Sequence, residues 1–151
     1  LRNTIAQQGS VMVEPLYNKV LDFGMEFQRC GDGTVAYMGL SLFQTINGAY
    51  TGNLLATEAV KREILSQYID LADLDTFTTA ACEYLGRQLT YVGPFGIDMM
   101  ALEGRRLALA EINLRRTMGH VALAISPLDD ALRRVMHIET GNIYKLKIRM
   151  K

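Results

Sequence analysis

The chain has 151 residues, 49% of them hydrophobic, and its 16 basic and 16 acidic residues cancel to a formal net charge of zero. That is enough to bury one core but not two, so a single domain is expected over residues 1–151. Balanced charge, with aromatic and basic residues unclustered, argues against any nucleic-acid partner, and no apolar run reaches membrane-spanning length.

Residues 1–10 open without an initiator Met and read as the tail of a helix already under way, the end of a preceding lobe of a longer chain. The N-terminus has no basic region followed by an apolar one, so the chain is expected to be cytoplasmic. Cys30 and Cys82 have no C-x-x-C partner and no neighbouring His; both are expected to be buried small hydrophobes in a reducing compartment.

Val11-Met12-Val13 is a β-branched run stopped by Glu14-Pro15, because proline cannot continue a ladder. Phe23 to Arg29 and Thr34 to Phe43 flank Gly31-Asp32-Gly33 and predict a hairpin. Thr45 to Asn53, rich in glycine and without a period, predicts a surface loop whose 48–53 stretch can face a substrate. Thr57 caps a helix with Val60, Ile64, Leu65 and Tyr68 on one stripe. A second helix is predicted from Asp75 to Leu89, with Phe77, Ala80, Ala81, Tyr84 and Leu85 inward.

Two strands follow, Phe95 to Ala101 and Arg106 to Ile112, then a short helix from Met118 to Ile125. Ser126-Pro127, with Asp129 and Asp130 in the first turn, predicts a further helix that buries Leu128, Leu132, Val135 and Met136 and closes at Gly141. Ile143 to Met150 alternates as a last strand, with Lys145, Lys147, Arg149 and Lys151 as a charged edge. The methionines, Met99, Met100, Met118 and Met136 among them, read as core filler. The order of elements predicts an α+β fold with a mostly antiparallel sheet and packed helices.

The chemistry sits on the second hairpin. A two-residue turn at Glu103-Gly104 pairs Leu102 with Arg105, Asp98 with Leu109 and Gly96 with Glu111. Asp98, Leu109, Glu111 and Asn113 then share a face, with Asp98 and Glu111 as diagonal neighbours roughly 7–8 Å apart. A bulge would flip that relation. Two carboxylates and a carboxamide form a hard-oxygen site of the kind Mg²⁺ takes when phosphate and water complete its shell. Arg115 and Arg116 follow at once and suit a phosphoryl group. The bland alternative is an alternating strand with a polar end. His120 and His137 lie in separate elements and do not read as paired ligands; His120 reads as a helix-surface residue, with a phosphate or substrate contact as the sharper alternative.

Gly93-Pro94-Phe95-Gly96-Ile97-Asp98 followed by Leu109-Ala110-Glu111-Ile112-Asn113-Leu114-Arg115 resembles the closing motif of the ATP-grasp superfamily, an acid-bearing strand leading through a hairpin to E-x-N-x-R. Val11 to Leu16 is similar to that family's hinge strand, and Phe23 to Gly39 to the hairpin after it; the likeness covers about residues 11 to 126. It implies the C-terminal subdomain of an ATP-grasp unit, with ATP and Mg²⁺ (or Mn²⁺) as cofactors. Asp98, Glu111 and Asn113 would hold the metal, and Arg115 would steady the γ-phosphate or an acyl phosphate. Glu14, with backbone donors at Leu16 or Tyr17, would line the adenine pocket, and Asp22 (or else Glu26) would bind the ribose. The family's phosphate-binding lysines and glycine-rich lid do not fit before Val11, so the resemblance implies a missing N-terminal lobe as partner and an inactive isolated chain. The implied activity is an ATP-dependent carboxylate–amine or carboxylate–thiol ligase with a small carboxylate substrate. A non-catalytic ATP-grasp-like module for binding or assembly is the second reading, an interaction fragment that pairs with the missing lobe the third; an oligomer is left open.

Overall fold

The computed structural model describes residues 2–13, 15–139 and 145–150. A seven-residue helix α1 (Arg2–Gln8) buries nothing. It ends where Gly9, at φ 81°, returns its N–H to the Ile5 carbonyl (2.8 Å). Seven strands then form one antiparallel sheet in the order β5-β4-β1-β2-β3-β6-β7: β1 (Lys19–Arg29), β2 (Val35–Ile46), β3 (Ala49–Leu55), β4 (Gly93–Leu102), β5 (Arg106–Asn113), β6 (Arg134–Glu139) and β7 (Lys145–Met150). Helices α2 (Glu58–Leu65), α3 (Leu71–Gln88) and α4 (Met118–Ile125) complete the α+β fold.

Strand β1 sets the two faces. Phe23, Met25 and Phe27 alternate into the main core, against Ile97 and Phe95 of β4 and Leu65, Ile69, Leu74, Ala81 and Leu85 from the helical side. Phe27 stacks on Phe95 with ring centroids 5.2 Å apart and meets Tyr37 edge-on at 5.5 Å. Asp22, Gly24 and Glu26 alternate to the other face. A smaller cluster of Leu55, Ala122 and Met136 seats α4 on β3 and β6.

Several expectations are corrected. Val11-Met12-Val13 pairs with no strand among the described residues, and Met12 and Val13 stand open to solvent: three residues before a proline find no partner in this chain. Residues 45–53 are not a loop but the end of β2, a tight turn and most of β3. Asn47 (φ 51°) and Gly48 (φ 79°) give that turn the left-handed backbone that matches the twist of two paired strands, and the Asn-Gly pair is the sequence signal for it. Helix α3 begins four residues earlier than expected, because Asp70 accepts the Ala72 N–H as its cap. Ala81 and Leu85 point inward with Leu74, Phe77 packs half-buried against the same core, and Tyr84 and Ala80 face water.

The helix expected after Ser126 does not form. Asp129 instead folds a local turn, accepting from the Ala131 N–H with its side chain and from Leu132 with its carbonyl, and Asp130 accepts from the Thr57 hydroxyl. Leu128 is fully exposed, and Val135 and Met136 belong to β6, paired to Leu54 and Asn53 of β3. Tertiary pairing there overrides a good local helix start. The closing Gly141 lies outside the described residues. The last strand is the sheet edge, as its alternation implies. Cys30 is exposed and Cys82 half-buried, so neither is the buried thiol expected.

One buried charge has no sequence signal. Lys61 is 2% exposed, and its Nζ donates to the Leu40 carbonyl (2.6 Å) while Glu58 accepts from the Leu40 N–H (2.9 Å) and the Tyr37 hydroxyl (2.8 Å). The β2–β3 pairing begins only at Phe43, so Leu40 has no strand on that side and two α2 side chains satisfy its backbone. Burial lowers the Lys61 pKa, and Glu58 acts against that shift.

Candidate functional site

Register places the site. On one rung of the sheet Gly24 pairs with Asp98 and Asp98 with Glu111; on the next, Glu26 pairs with Gly96 and Gly96 with Asn113. Asp98, Glu111, Asn113 and Glu26 therefore share one face, with glycines at alternate grid points clearing room between them. The hairpin reaches this by a route other than the expected one. Its turn has three residues, Glu103-Gly104-Arg105, with Gly104 and Arg105 both at positive φ, and a bulge falls between Asp98 and Met99 opposite Ala110. The two changes shift the pairing by an even number. Asp98 and Glu111 stay on one face and become directly opposed, whereas Leu109 moves to the face of Met99.

Asn113 ties the group together. Its Nδ2 donates to Asp98 Oδ2 (3.1 Å), and its Oδ1 accepts from Arg115 Nη2 (3.0 Å). Burial raises the Asp98 carboxyl pKa, and the facing Glu111 raises it further; Arg115 and the Asn113 amide oppose the rise. Two opposed carboxylates in a partly dry place are a site that a divalent cation relieves. The donor set, two carboxylates and one carboxamide, suits Mg²⁺ or Mn²⁺. No three His, Cys, Asp or Glu side chains converge among the described residues, and the nearby neutral oxygen is Asn113 Oδ1, here bonded to Arg115.

Beyond Arg115 the chain turns into α4. Thr117 caps this helix, accepting from the Gly119 and His120 N–H groups, and the His120 ring returns to the Thr117 N–H through Nδ1 (3.2 Å). This is a capping box with histidine in the place usually held by Glu or Gln. His120 is 8% exposed, not the surface residue expected, and its Nε2 lies 3.2 Å from the Phe27 carbonyl. With Nδ1 accepting and Nε2 donating, the imidazole is neutral, consistent with burial lowering its pKa.

Glu26 completes this arrangement. It is 2% exposed, and its Oε2 accepts from the Thr117 hydroxyl (2.7 Å) and lies 2.9 Å from His120 Nδ1. Burial pushes its carboxyl from the ordinary 4.5 up to about 7, with the Thr117 bond acting against the rise. A raised acid pKa means that the folded state holds the proton more tightly. The resulting stability is fully present below about pH 4.5 and is lost as pH rises through about 7, a span worth about 3 kcal/mol. Asp98 shifts in the same sense. Metal-free protein should therefore lose stability between pH 5 and pH 8 in chemical denaturation, and Glu26→Gln, which mimics the protonated acid, should flatten most of that slope. An unchanged slope would show that Glu26 ionises as freely when folded as when unfolded.

A cavity of about 300 Å³ opens over this face. The Asp98, Asn113, Arg115 and Thr117 side lies opposite Phe43, Thr45 and Tyr50 of the β2–β3 hairpin. On that second wall Tyr50 donates to Asn53 Oδ1, and Asn53 Nδ2 donates to Ser41 Oγ (2.6 Å). Of the other residues singled out in the sequence, Asp22 lies on the same face two rungs beyond Glu26 and is held by Lys19 (2.6 Å) and the Thr45 hydroxyl (2.8 Å). Leu16 and Tyr17 stand on the exposed segment before β1, outside the cavity, and Glu14 lies outside the described residues. His137 is on β6 opposite Gly52, with no part in this face. Sequence reading missed Ser41 and Thr117, while Tyr50 and Asn53 belong to the 48–53 stretch it set facing a substrate, here on a strand pair and not a loop; the T-x-x-H spacing was the available signal for Thr117.

No protein-family model and no curated protein sequence matches the chain significantly. Its fold does match solved structures. N5-carboxyaminoimidazole synthetase from Staphylococcus aureus, complexed with ADP, superposes with a TM-score of 0.56 at 13% identity, covering 83% of this chain and 36% of that one. The phosphoribosylaminoimidazole carboxylase ATPase subunit from Aquifex aeolicus gives 0.56 at 17% identity, covering 87% and 42%. A protein of Archaeoglobus fulgidus described as belonging to the ATP-grasp superfamily gives 0.50 at 15%, covering 89% and 47%. The chain shares the α+β fold of part of each of these structures and spans less than half the length of each. No helix among the described residues is long and apolar enough to cross a membrane.

Proposed function

We propose that this chain is the C-terminal, Mg-nucleotide-binding lobe of an ATP-dependent ligase that joins a small carboxylate to an amine or thiol through an acyl phosphate. The observation that carries the reading is the rung on which Asp98 faces Glu111, with Asn113 bridging Asp98 to Arg115. Asp98, Glu111 and the Asn113 oxygen would hold Mg²⁺, which when bound offsets phosphate charge and draws it to this face. Arg115 would meet the charge on the transferred phosphoryl group with paired N–H donors. Backbone groups at Leu16 or Tyr17, and the Asp22 carboxylate, would take the adenine and ribose. In this reading a further lobe would supply the rest of the site, including cations for the other phosphates. The isolated lobe is accordingly expected to be inactive, because phosphoryl transfer is mostly positioning.

The test is nucleotide affinity of the full-length protein in excess Mg²⁺. Glu111→Ala should weaken Mg-ATP by at least roughly 10–100-fold, the scale seen when a metal site loses a supporting group. Equal affinity before and after the substitution would refute the metal assignment. ATP-dependent phosphate release separates a ligase from a module that has kept the fold for binding or assembly alone, for which binding would persist without turnover.

A further inference from the structure

The proposed chemistry leaves the buried Glu26 carboxyl unused. The Glu26 carboxylate lies where three glycines from three elements meet. A Cβ on Gly119 would fall 1.7 Å from its Oε1, one on Gly96 2.8 Å from its Oε2, and one on Gly24 3.0 Å from its Oε1. Those contacts are not relieved by swinging the carboxyl group aside, because the Thr117 hydroxyl donates to its Oε2 (2.7 Å) and His120 Nδ1 packs 2.9 Å from the same oxygen. An apolar side chain would fill the same space without its desolvation cost, so stability alone does not account for a carboxyl group here. What it does is hold Thr117, and with it the start of α4, to strand β1.

Thr117 is two residues after Arg115, and the other end of that short segment is also held. The Arg115 N–H donates to the Asn113 carbonyl (2.8 Å) and its guanidinium to the Asn113 side chain (3.0 Å). The segment from Asn113 to Thr117 is thus pinned at one end to the metal-binding rung and at the other to Glu26. We infer that Glu26, through Thr117 and His120, is a positioning residue that sets Arg115 over the cavity where the terminal phosphate of the nucleotide binds. Glu26 itself touches no phosphate; its partners are Thr117 and His120 on one side and the glycine backbone on the other.

The inference rests on the nucleotide reading, and the experiment separates the two. Affinities of the full-length protein for Mg-ATP and Mg-ADP are measured side by side, because a misplaced Arg115 costs the γ-phosphate contact and leaves ADP largely untouched. Arg115→Ala, Glu26→Ala and Thr117→Val should each reduce the preference for ATP over ADP by roughly tenfold, the loss of one charge-assisted contact. Glu26→Gln, which can still bond Thr117 and His120, should restore it. The double variant Glu26→Ala with Arg115→Ala should be no worse than Arg115→Ala alone. Thr117→Val removes a single hydroxyl and remains informative if Glu26→Ala does not fold. Folded Thr117→Val and Glu26→Ala proteins with an unchanged ATP/ADP ratio, while Arg115→Ala lowers it, would overturn the positioning role and leave the nucleotide reading standing. Loss of ATP and ADP affinity in equal measure would also overturn it, by showing a merely structural role. If the unaltered protein binds neither nucleotide, both fall.

Discussion

Arg115→Ala in the full-length protein is expected to lower the turnover of ATP-dependent phosphate release by about 10²–10³-fold, the cost of removing one preorganised donor from a developing negative charge. The guanidinium is the cation that the structure places beside the acid pair: Nη2 bonds the Asn113 oxygen, and the charge helps hold the Asp98 pKa down. It is an exposed residue on the cavity lining, so it contributes little to folding and would act mainly on a bound anion. Arg115→Lys should recover only part of the loss, since an ammonium keeps the charge but not the planar fork. Steady-state kinetics at saturating Mg-ATP gives the result directly, with thermal unfolding as the control. Turnover within about threefold of the unaltered protein would remove Arg115 from the transition state.

Phe27→Ala is expected to cost about 3–5 kcal/mol of folding stability. The ring has no exposed surface, stacks on Phe95 and takes the edge of Tyr37, so truncation leaves a cavity at the join of three strands. That loss is a third or more of the stability of an ordinary domain. The denaturation midpoint should fall with little change in the dependence on denaturant. The same residue's carbonyl lies against His120 Nε2, so any relaxation into the cavity also loosens α4. A cost under about 1 kcal/mol would mean that the core refills the space, and that the aromatic stack is not a structural keystone.

The misreadings have a common cause. Ser126-Pro127 with Asp129 and Asp130 is a sound local helix start, yet β3 offers Val135 and Met136 a ladder and a buried face, and local preference is worth less than that. The 45–53 stretch lost its strand character to a count of glycines, although Asn47-Gly48 specifies a tight hairpin turn by its backbone alone. The buried Lys61 answers a gap in the sheet that exists only because β3 begins at a particular height on β2. Nothing within a few residues of Lys61 encodes that.

For the site, the chain by itself determined which candidate residues gather on one hairpin. The alternation of Asp98 with its neighbours, the E-x-N-x-R run and the hairpin between them are local, and side-chain period follows from strand geometry. It also determined that Asp98 and Glu111 share a face. Their direct opposition depended on a three-residue turn and a bulge that pairing energies select and composition does not. Only the tertiary structure could decide the place of Glu26. In sequence it is one polar residue in an alternating strand, 91 positions from Thr117. Folding brings β1 beneath the start of α4, and a carboxyl group becomes buried there because Gly24 on its own strand and the distant Gly96 and Gly119 leave it room, and the distant Thr117 and His120 enclose it. Contacts between residues so far apart are set by the packing of whole elements, which no local pattern can encode.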